Sequence, residues 1–258
     1  MNLENFKEII EAIGATVLDV QAKAARKELE LWRKEGLDVV TDADLHLEDR
    51  IVRLLHLRSP GVPVRSEEGY PREVSGQGVW VVDPLDGTIN FAAGSPFFAV
   101  SIAYQARGRT EYGAVMAPAL EARYIAGLRT GAFRGDTRLR VSPRSLRDST
   151  VSITLTSHFT SNEIGEVVGI VGKLAGRVRG LRIFVCESLE LAWVAEGILD
   201  AHICTKPDVF GVAAGSLLVE EAGGKLSTLS GAPFEDESPS LIASNGVIHD
   251  ELVLICQN

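Results

Sequence analysis

In Trp80-Val81-Val82-Asp83-Pro84-Leu85-Asp86-Gly87-Thr88-Ile89-Asn90-Phe91 an apolar run ends abruptly on two carboxylates. The run Trp80 to Val82 predicts a buried strand that leads into a loop. Pro84 stiffens that loop, and Gly87 permits a sharp backbone turn. Asp83 and Asp86 held this closely repel one another unless a cation lies between them. Ligands that are all oxygen suit a hard ion such as Mg²⁺. Gly87 and Thr88 add backbone N–H groups, and Thr88 a hydroxyl, in a turn able to hold a phosphate. A solvated Asp-Pro-x-Asp-Gly turn explains the same residues equally well. The segment alone leaves both readings open.

Two more acidic stretches bear on the choice. Thr41-Asp42-Ala43-Asp44 opens a predicted helix, and Arg65-Ser66-Glu67-Glu68-Gly69 follows a predicted strand. Each by itself suits a solvated element end. With Asp83 and Asp86 they form a carboxylate-rich set of the kind that phosphoryl-transfer sites use to hold metal ions. The whole chain is acidic, with 26 Lys+Arg against 35 Asp+Glu and a formal charge of −9 over 258 residues. No broad positive surface is available for nonspecific nucleic-acid binding. An anionic substrate would need a bound cation to invert the local field.

Apolar residues make up 45% of the chain and charged residues 24%, enough for a closed core and against global disorder. Cys186, Cys204 and Cys256 are odd in number and far apart. That speaks against a disulfide framework or a thiolate zinc site and fits a reducing, cytoplasmic setting. The start, MNLENFKEII, carries acidic residues among its apolar ones and predicts no secretory segment. The longest apolar stretch, Phe97–Tyr104, is too short to cross a bilayer, so no membrane partner is expected.

Apolar spacing predicts a long helix over Leu3–Glu35 capped by Gly36, and a second helix from Thr41-Asp42 with Leu47, Ile51, Leu54 and Leu55 inward. The period then drops to two. Strands are expected at Val62–Arg65, Val79–Val82, Ala99–Gln105, Glu111–Met116 and Arg123–Leu128, with an antiparallel meander from Phe97 to Phe133. Beyond Val141-Ser142-Pro143 the pattern becomes strand Val151–Thr156, helix Glu163–Ala175, strand Leu181–Val185, helix Leu189–Glu196, strand Ala201–Thr205, helix Val212–Ala222, strand Leu241–Ser244 and helix Val247–Ile255. A boundary near residue 145 divides an N-terminal α+β half (1–145) from a C-terminal α/β half (146–258).

With these motifs in place the chain resembles the inositol monophosphatase superfamily of Mg²⁺-dependent, lithium-sensitive sugar phosphatases. Val40-Thr41-Asp42-Ala43-Asp44 is similar to the family's N-terminal Thr-Asp element, and Ser66-Glu67-Glu68 to its Gly-Glu-Glu element. Asp83 to Phe91 matches the signature Asp-Pro-(Ile/Leu)-Asp-Gly-Thr-x-Asn-Phe, which is highly specific. Gly113–Pro118 resembles the strand that follows, and Ala213–Gly224 the C-terminal signature helix. The resemblance implies a layered αβαβα sandwich with the site in the cleft between the halves. It also implies an enzyme that hydrolyses inositol monophosphate or a related sugar phosphate by direct attack of a metal-activated water. Fructose 1,6-bisphosphate and nucleotide 3′-phosphates are lesser alternatives. Two or three Mg²⁺ ions, or Mn²⁺, and a homodimer are implied as well. Carried over by motif, Glu67, Asp83 and the Leu85 carbonyl would hold one metal, and Asp83 and Asp86 would share another. Gly87 and Thr88 would take the phosphate. Asp44 would hydrogen-bond Thr88 and help orient the water, with Glu67 the other candidate for activating it.

Two positions depart from the family pattern. The C-terminal signature normally carries an aspartate two residues before its Ala-Ala-Gly, as a ligand of the second metal; here that position is Gly211, in Pro207-Asp208-Val209-Phe210-Gly211-Val212. Three explanations stand. Asp208, one turn earlier, could substitute as a metal ligand. The second metal could bind weakly through Asp83 and Asp86. Or the protein could be a catalytically weakened relative acting as an interaction or regulatory protein. The other departure is Val185-Cys186-Glu187-Ser188, where the family has a small Gly/Ser-Ala-Ala-like stretch against the substrate ring. Glu187 there would bind substrate differently and repel a second phosphate. Alternatively, it points to solvent at a helix start. The five histidines lack metal-ligand spacing and receive no role; Cys186 and Cys204 are expected to pack inertly in buried strands.

Overall fold

The computed structural model describes residues 1–25, 31–33, 39–69 and 78–257. Helix α1 (Leu3–Ala25) precedes a short antiparallel ribbon of β1 (Leu31–Arg33) and β2 (Val39–Thr41). The long helix expected through Glu35 therefore stops short. Leu31 to Arg33 pair with Val39 to Thr41, and a ladder partner overrides the helical spacing there. The remainder of that expectation, including the Gly36 cap, lies outside the described residues. Helix α2 (Asp42–Arg58) starts where Thr41-Asp42 predicts.

A seven-stranded sheet follows: β3 (Val64–Ser66), β4 (Gly78–Asp86), β5 (Ala99–Ala106), β6 (Arg109–Ala117), β7 (Ala122–Gly127), β8 (Gly131–Arg134) and β9 (Thr137–Arg138). Its strands lie in chain order, antiparallel except for the β3–β4 pair. The five-residue helix α3 (Thr88–Ala92) sits between β4 and β5. The second sheet has order β11-β10-β12-β14-β13, from β10 (Thr150–Ile153), β11 (Gly180–Arg182), β12 (Ala201–Cys204), β13 (Lys225–Ser227) and β14 (Leu241–Ser244). Its helices are α4 (Ser161–Leu174), α5 (Glu187–Glu196), α6 (Val209–Glu221) and α7 (His249–Gln257). Helix α5 begins two residues and α6 three residues earlier than the sequence pattern suggests.

Strand alternation sorts the side chains into three apolar layers. Trp80, Val82, Val100 and Ile102 face Phe6, Ile10, Ile13, Ile51 and Leu55 of α1 and α2. Val81, Ala99 and Ala103 face the other way, onto Leu189, Leu191, Val212 and Leu217 of α5 and α6. Cys204, Leu241 and Ala243 of the second sheet close that middle layer from the far side. Ile203 and Ile242 pack outward on Val167 and Leu252 of α4 and α7. The result is the α-β-α-β-α sandwich implied by the resemblance. Helix α6 lies between the two sheets and is buried without interruption from Phe210 to Val219. Gly113 of β6 permits that approach, since a Cβ there would lie 2.9 Å from the Ala214 backbone.

Candidate active site

The carboxylates meet because of pairing register. Strand β3 runs parallel to β4 with Ser66 opposite Val82, and Glu67 N donates to Val82 O at 3.2 Å. Glu67 therefore emerges beside Asp83. Gly69 N donates to Glu48 Oε1 of α2 at 3.1 Å and anchors the turn behind it.

The segment expected as a loop after Val82 is the end of β4 itself. Asp83 pairs with Ser101 and Asp86 with Ala99, with a register shift between them. In a regular strand, residues three apart point to opposite faces. The bulge inserts one extra residue and returns both carboxylates to the face shared by Ala99 and Ser101, toward α5 and α6. Pro84 fits, because a bulge needs no ladder hydrogen bond from it.

Gly87 follows at φ +85°, and a Cβ there would sit 2.8 Å from the Phe97 carbonyl. Only glycine turns the chain here at no steric cost. No side chain caps α3, which leaves its first-turn N–H groups unclaimed by a cap. Thr88 Oγ1 lies 3.0 Å from Asp44 Oδ1 and 3.0 Å from the Leu85 carbonyl, sharing its one proton between them. Asp44 on α2 is buried. Asn90 donates its amide to Phe97 O at 2.8 Å and Phe184 O at 2.6 Å, tying this turn to the segment before α5.

Asp86 Oδ2 receives Ser188 N at 2.7 Å and Ser188 Oγ at 2.6 Å, with the Cys186 thiol at 3.5 Å. Cys186, expected in a buried strand, is instead the N-cap residue before α5, and it is fully buried. Burial and the Asp86 and Glu190 carboxylates push its thiol well up, so it stays protonated. Asp83 Oδ1 accepts Leu85 N at 3.0 Å.

Glu67, Asp83, Leu85, Asp86, Gly87 and Thr88 line one cavity of about 160 Å³, whose other wall includes Thr154, Thr156, His158, Cys186 and Glu187. The solvent-facing reading of Glu187 is overturned: its side chain is 13% exposed, with Oε1 3.3 Å from His202 Nε2. It turns inward because α5 starts at Glu187 and its first turn abuts β12. His202 is fully buried, 2.9 Å from Ser152 Oγ through Nδ1 and 3.5 Å from Glu190 Oε1. Burial pushes this imidazole down, but Glu190 and Glu187 outweigh it and hold its pKa at about 10. Asp208 caps α6, its Oδ1 accepting Phe210 N at 3.1 Å. It is close enough to Glu67 to raise that group's pKa.

Charge is out of balance at the cavity. Burial, then Glu68, Asp208 and Asp86, push Glu67 up to about 8. Burial and the Glu67 and Asp86 charges push Asp83 well up. Burial raises Asp86 to about 6 against the lowering effect of Ser188. Among the described residues no three His, Cys, Asp or Glu side chains form a ready-made ion cage. Glu67 and Asp83 share a hydrogen bond instead. The donors nevertheless suit a hard cation, being carboxylates and one carbonyl, all short of positive charge.

The sequence matches the profile of the Inositol monophosphatase family over residues 2–257. This chain belongs to that family. The Thermotoga maritima protein named "Fructose-1,6-bisphosphatase/inositol-1-monophosphatase" is 34% identical over 228 residues, 86% of this chain and 84% of the relative. The "Nus factor SuhB" of Pseudomonas aeruginosa is 37% identical over 218 residues, covering 82% and 80%. The crystal structure of the Bartonella henselae extragenic suppressor protein suhB superposes with a TM-score of 0.90 at 29% identity, covering 99% of this chain and 98% of that one. Among the described residues no helix is long and apolar enough to cross a membrane.

Several site groups carry no signal in the sequence. Ser188, Asn90, Glu48 and His202 hold the carboxylates and the turn in place. Their partners there lie 102, 94, 21 and 15 residues away. Only Asn90 falls inside a recognisable motif.

Proposed function

We propose that this protein is a divalent-cation-dependent phosphomonoesterase acting on inositol monophosphate or a related sugar phosphate. The observation that carries the reading is the β4 bulge, which puts Asp83 and Asp86 on one face beside Glu67 and the Gly87–Thr88 turn. Glu67, Asp83 and the Leu85 carbonyl would hold one Mg²⁺, and Asp83 and Asp86 a second, with Mn²⁺ able to replace them. A bound divalent ion supplies positive charge for the phosphoryl and leaving oxygens and acidity for the attacking water.

The chain's own groups orient the reactants. Gly87 and Thr88 offer backbone N–H groups to the phosphate. Asp44 draws the Thr88 hydroxyl proton, which leaves the Thr88 oxygen to accept a hydrogen bond from water and aim it. Glu67 is the second group able to take that water's proton. On this reading water attacks phosphorus directly, without a phosphoenzyme. The small cavity and the Glu187 carboxylate on its wall favour one phosphate over two.

A second reading rests on Gly211, which brings no carboxylate to the site: a weakly catalytic interaction or regulatory protein, in line with the relative named as a Nus factor. Phosphate release from a panel of inositol, fructose and nucleotide phosphates, titrated with Mg²⁺, separates the two. The phosphatase reading expects Mg²⁺-dependent turnover that Asp83→Asn abolishes. No turnover on any ester, recovered in Gly211→Asp, refutes it in favour of the second reading.

A further inference from the structure

We propose that the Glu187 carboxylate, delivered by α5, completes the second cation position in the space that Gly211 leaves open on α6. This rests on the phosphatase reading of the same cavity. A Cβ built on Gly211 would lie 3.6 Å from Glu187 Cβ and 3.6 Å from Glu187 Oε2. Those are ordinary van der Waals distances, so the backbone at 211 tolerates a side chain, and the volume that side chain would enter is where Glu187 already stands.

The direction of Glu187 fits the role. It lines the cavity with Glu67, Asp83 and Asp86, and Asp86 feels its charge directly. Its Oε1 is held by His202, which Ser152 fixes from the other ring nitrogen. A metal-ligating group backed by a fixed partner of this kind is oriented before the ion arrives. Oε2 is left turned toward Gly211. A carboxylate with 13% of its side chain exposed beside another carboxylate needs positive charge nearby. His202 already stands between Glu187 and Glu190 and does not reach Asp86. Asp208, the alternative donor, spends Oδ1 on the α6 N-cap and is not on the cavity wall.

The test is Mn²⁺ binding to the full chain, followed by calorimetry and by the electron paramagnetic resonance of free Mn²⁺. Glu187→Gln keeps the size and a hydrogen-bonding group for His202. It is expected to lose the weaker Mn²⁺ ion or bind it at least tenfold less tightly, with the other ion retained. Asp208→Asn is expected to retain both ions. Glu187→Ala, which empties the volume beside Gly211, is expected to lose the same ion and to regain it when combined with Gly211→Asp, because the carboxylate returns from the neighbouring helix. Should Glu187→Gln prove unstable, that pair of variants carries the test. Glu187→Gln binding both ions with wild-type affinity, or Asp208→Asn losing one in its place, overturns this inference alone. Wild-type protein that takes up no Mn²⁺ overturns the phosphatase reading with it.

Discussion

Ser188, 102 residues further along the chain, holds Asp86 through both its backbone N–H and its hydroxyl, and removing the hydroxyl should raise the Asp86 pKa. In the present structure Asp86 sits at a pKa of about 6, raised by burial and lowered by Ser188. Ser188→Ala deletes the 2.6 Å hydroxyl bond and leaves the 2.7 Å backbone bond. Ser188 is fully buried, so water does not replace the lost donor. A hydrogen bond to a charged acceptor is worth about 1.5–3 kcal/mol. At about 1.4 kcal/mol per pH unit this moves Asp86 up by roughly one to two units, to about 7–8. At pH 7 the ionised fraction then falls from about nine-tenths to between roughly a half and a tenth. Apparent affinity for a divalent cation at pH 7 drops about two- to tenfold, and the loss fades as pH approaches 9. Carbon-13 NMR of the Asp86 carboxyl in metal-free protein reads the pKa, and Mn²⁺ titration at pH 7 and 9 reads the consequence. An unmoved Asp86 pKa in Ser188→Ala would refute the reasoning, because it would mean that the hydroxyl does not stabilise the charge.

Metal-free protein should lose stability as pH rises from about 5 to 8. The folded state keeps protons on Glu67, Asp83 and Asp86 that the unfolded chain releases near pH 4, so it binds more protons through that window. Melting temperatures in EDTA should fall with pH, and saturating Mg²⁺ should flatten the slope; a level profile in EDTA contradicts the assigned shifts. Gly87→Ala should cost about 2 kcal/mol or more in denaturant unfolding, from positive φ and the 2.8 Å approach to Phe97 O, and should abolish phosphate release. Thr160→Ala removes the capping box of α4, where Thr160 and Glu163 satisfy each other's backbone N–H. It should cost about 1 kcal/mol with Mg²⁺ binding unchanged, so altered metal binding would tie α4 to the site in a way the contacts do not show.

What the sequence reveals follows the range of the forces involved. The meander from β5 to β8 is legible because its signals are local: short apolar runs bounded by turn residues such as Gly108 and Gly131. The starts of α5 and α6 are not. Leu189 to Ala195 and Phe210 to Val219 are buried on every side, and a helix without a polar face has no periodicity to mark its first turn. The bulge at Pro84-Leu85 reads as a loop because proline suggests an end of pairing, whereas the β5 partner fixes the register from outside. The motif carboxylates are visible as a set. His202 and Ser188, which hold two members of the site, look like ordinary core residues until the second sheet is in place.

The position of Glu187 ties these threads into one physical consequence. Helices α5 and α6 pack closely enough that a Cβ on Gly215 would lie 2.6 Å from Leu191 Cβ. Side chains at 187 and 211 therefore open into one gap, and a carboxylate from either helix reaches it. The two routes differ in stiffness. An aspartate on α6 has a short arm held by a helix buried from Phe210 to Val219. A glutamate on α5 has one more rotatable bond, and rotamer freedom must be lost before it can serve as a ligand. His202 and Ser152 of the second sheet remove that freedom by fixing Oε1. The exchange thus transfers control of the cation position from the α6 backbone to β10 and β12. It also places the ligand on the cavity wall that includes Thr154 and Thr156. On the phosphatase reading, cation affinity and substrate choice are then set by the same side chain, so a substitution at His202 should shift both together, whereas one at Asp208 should leave both ions bound and the substrate preference unchanged.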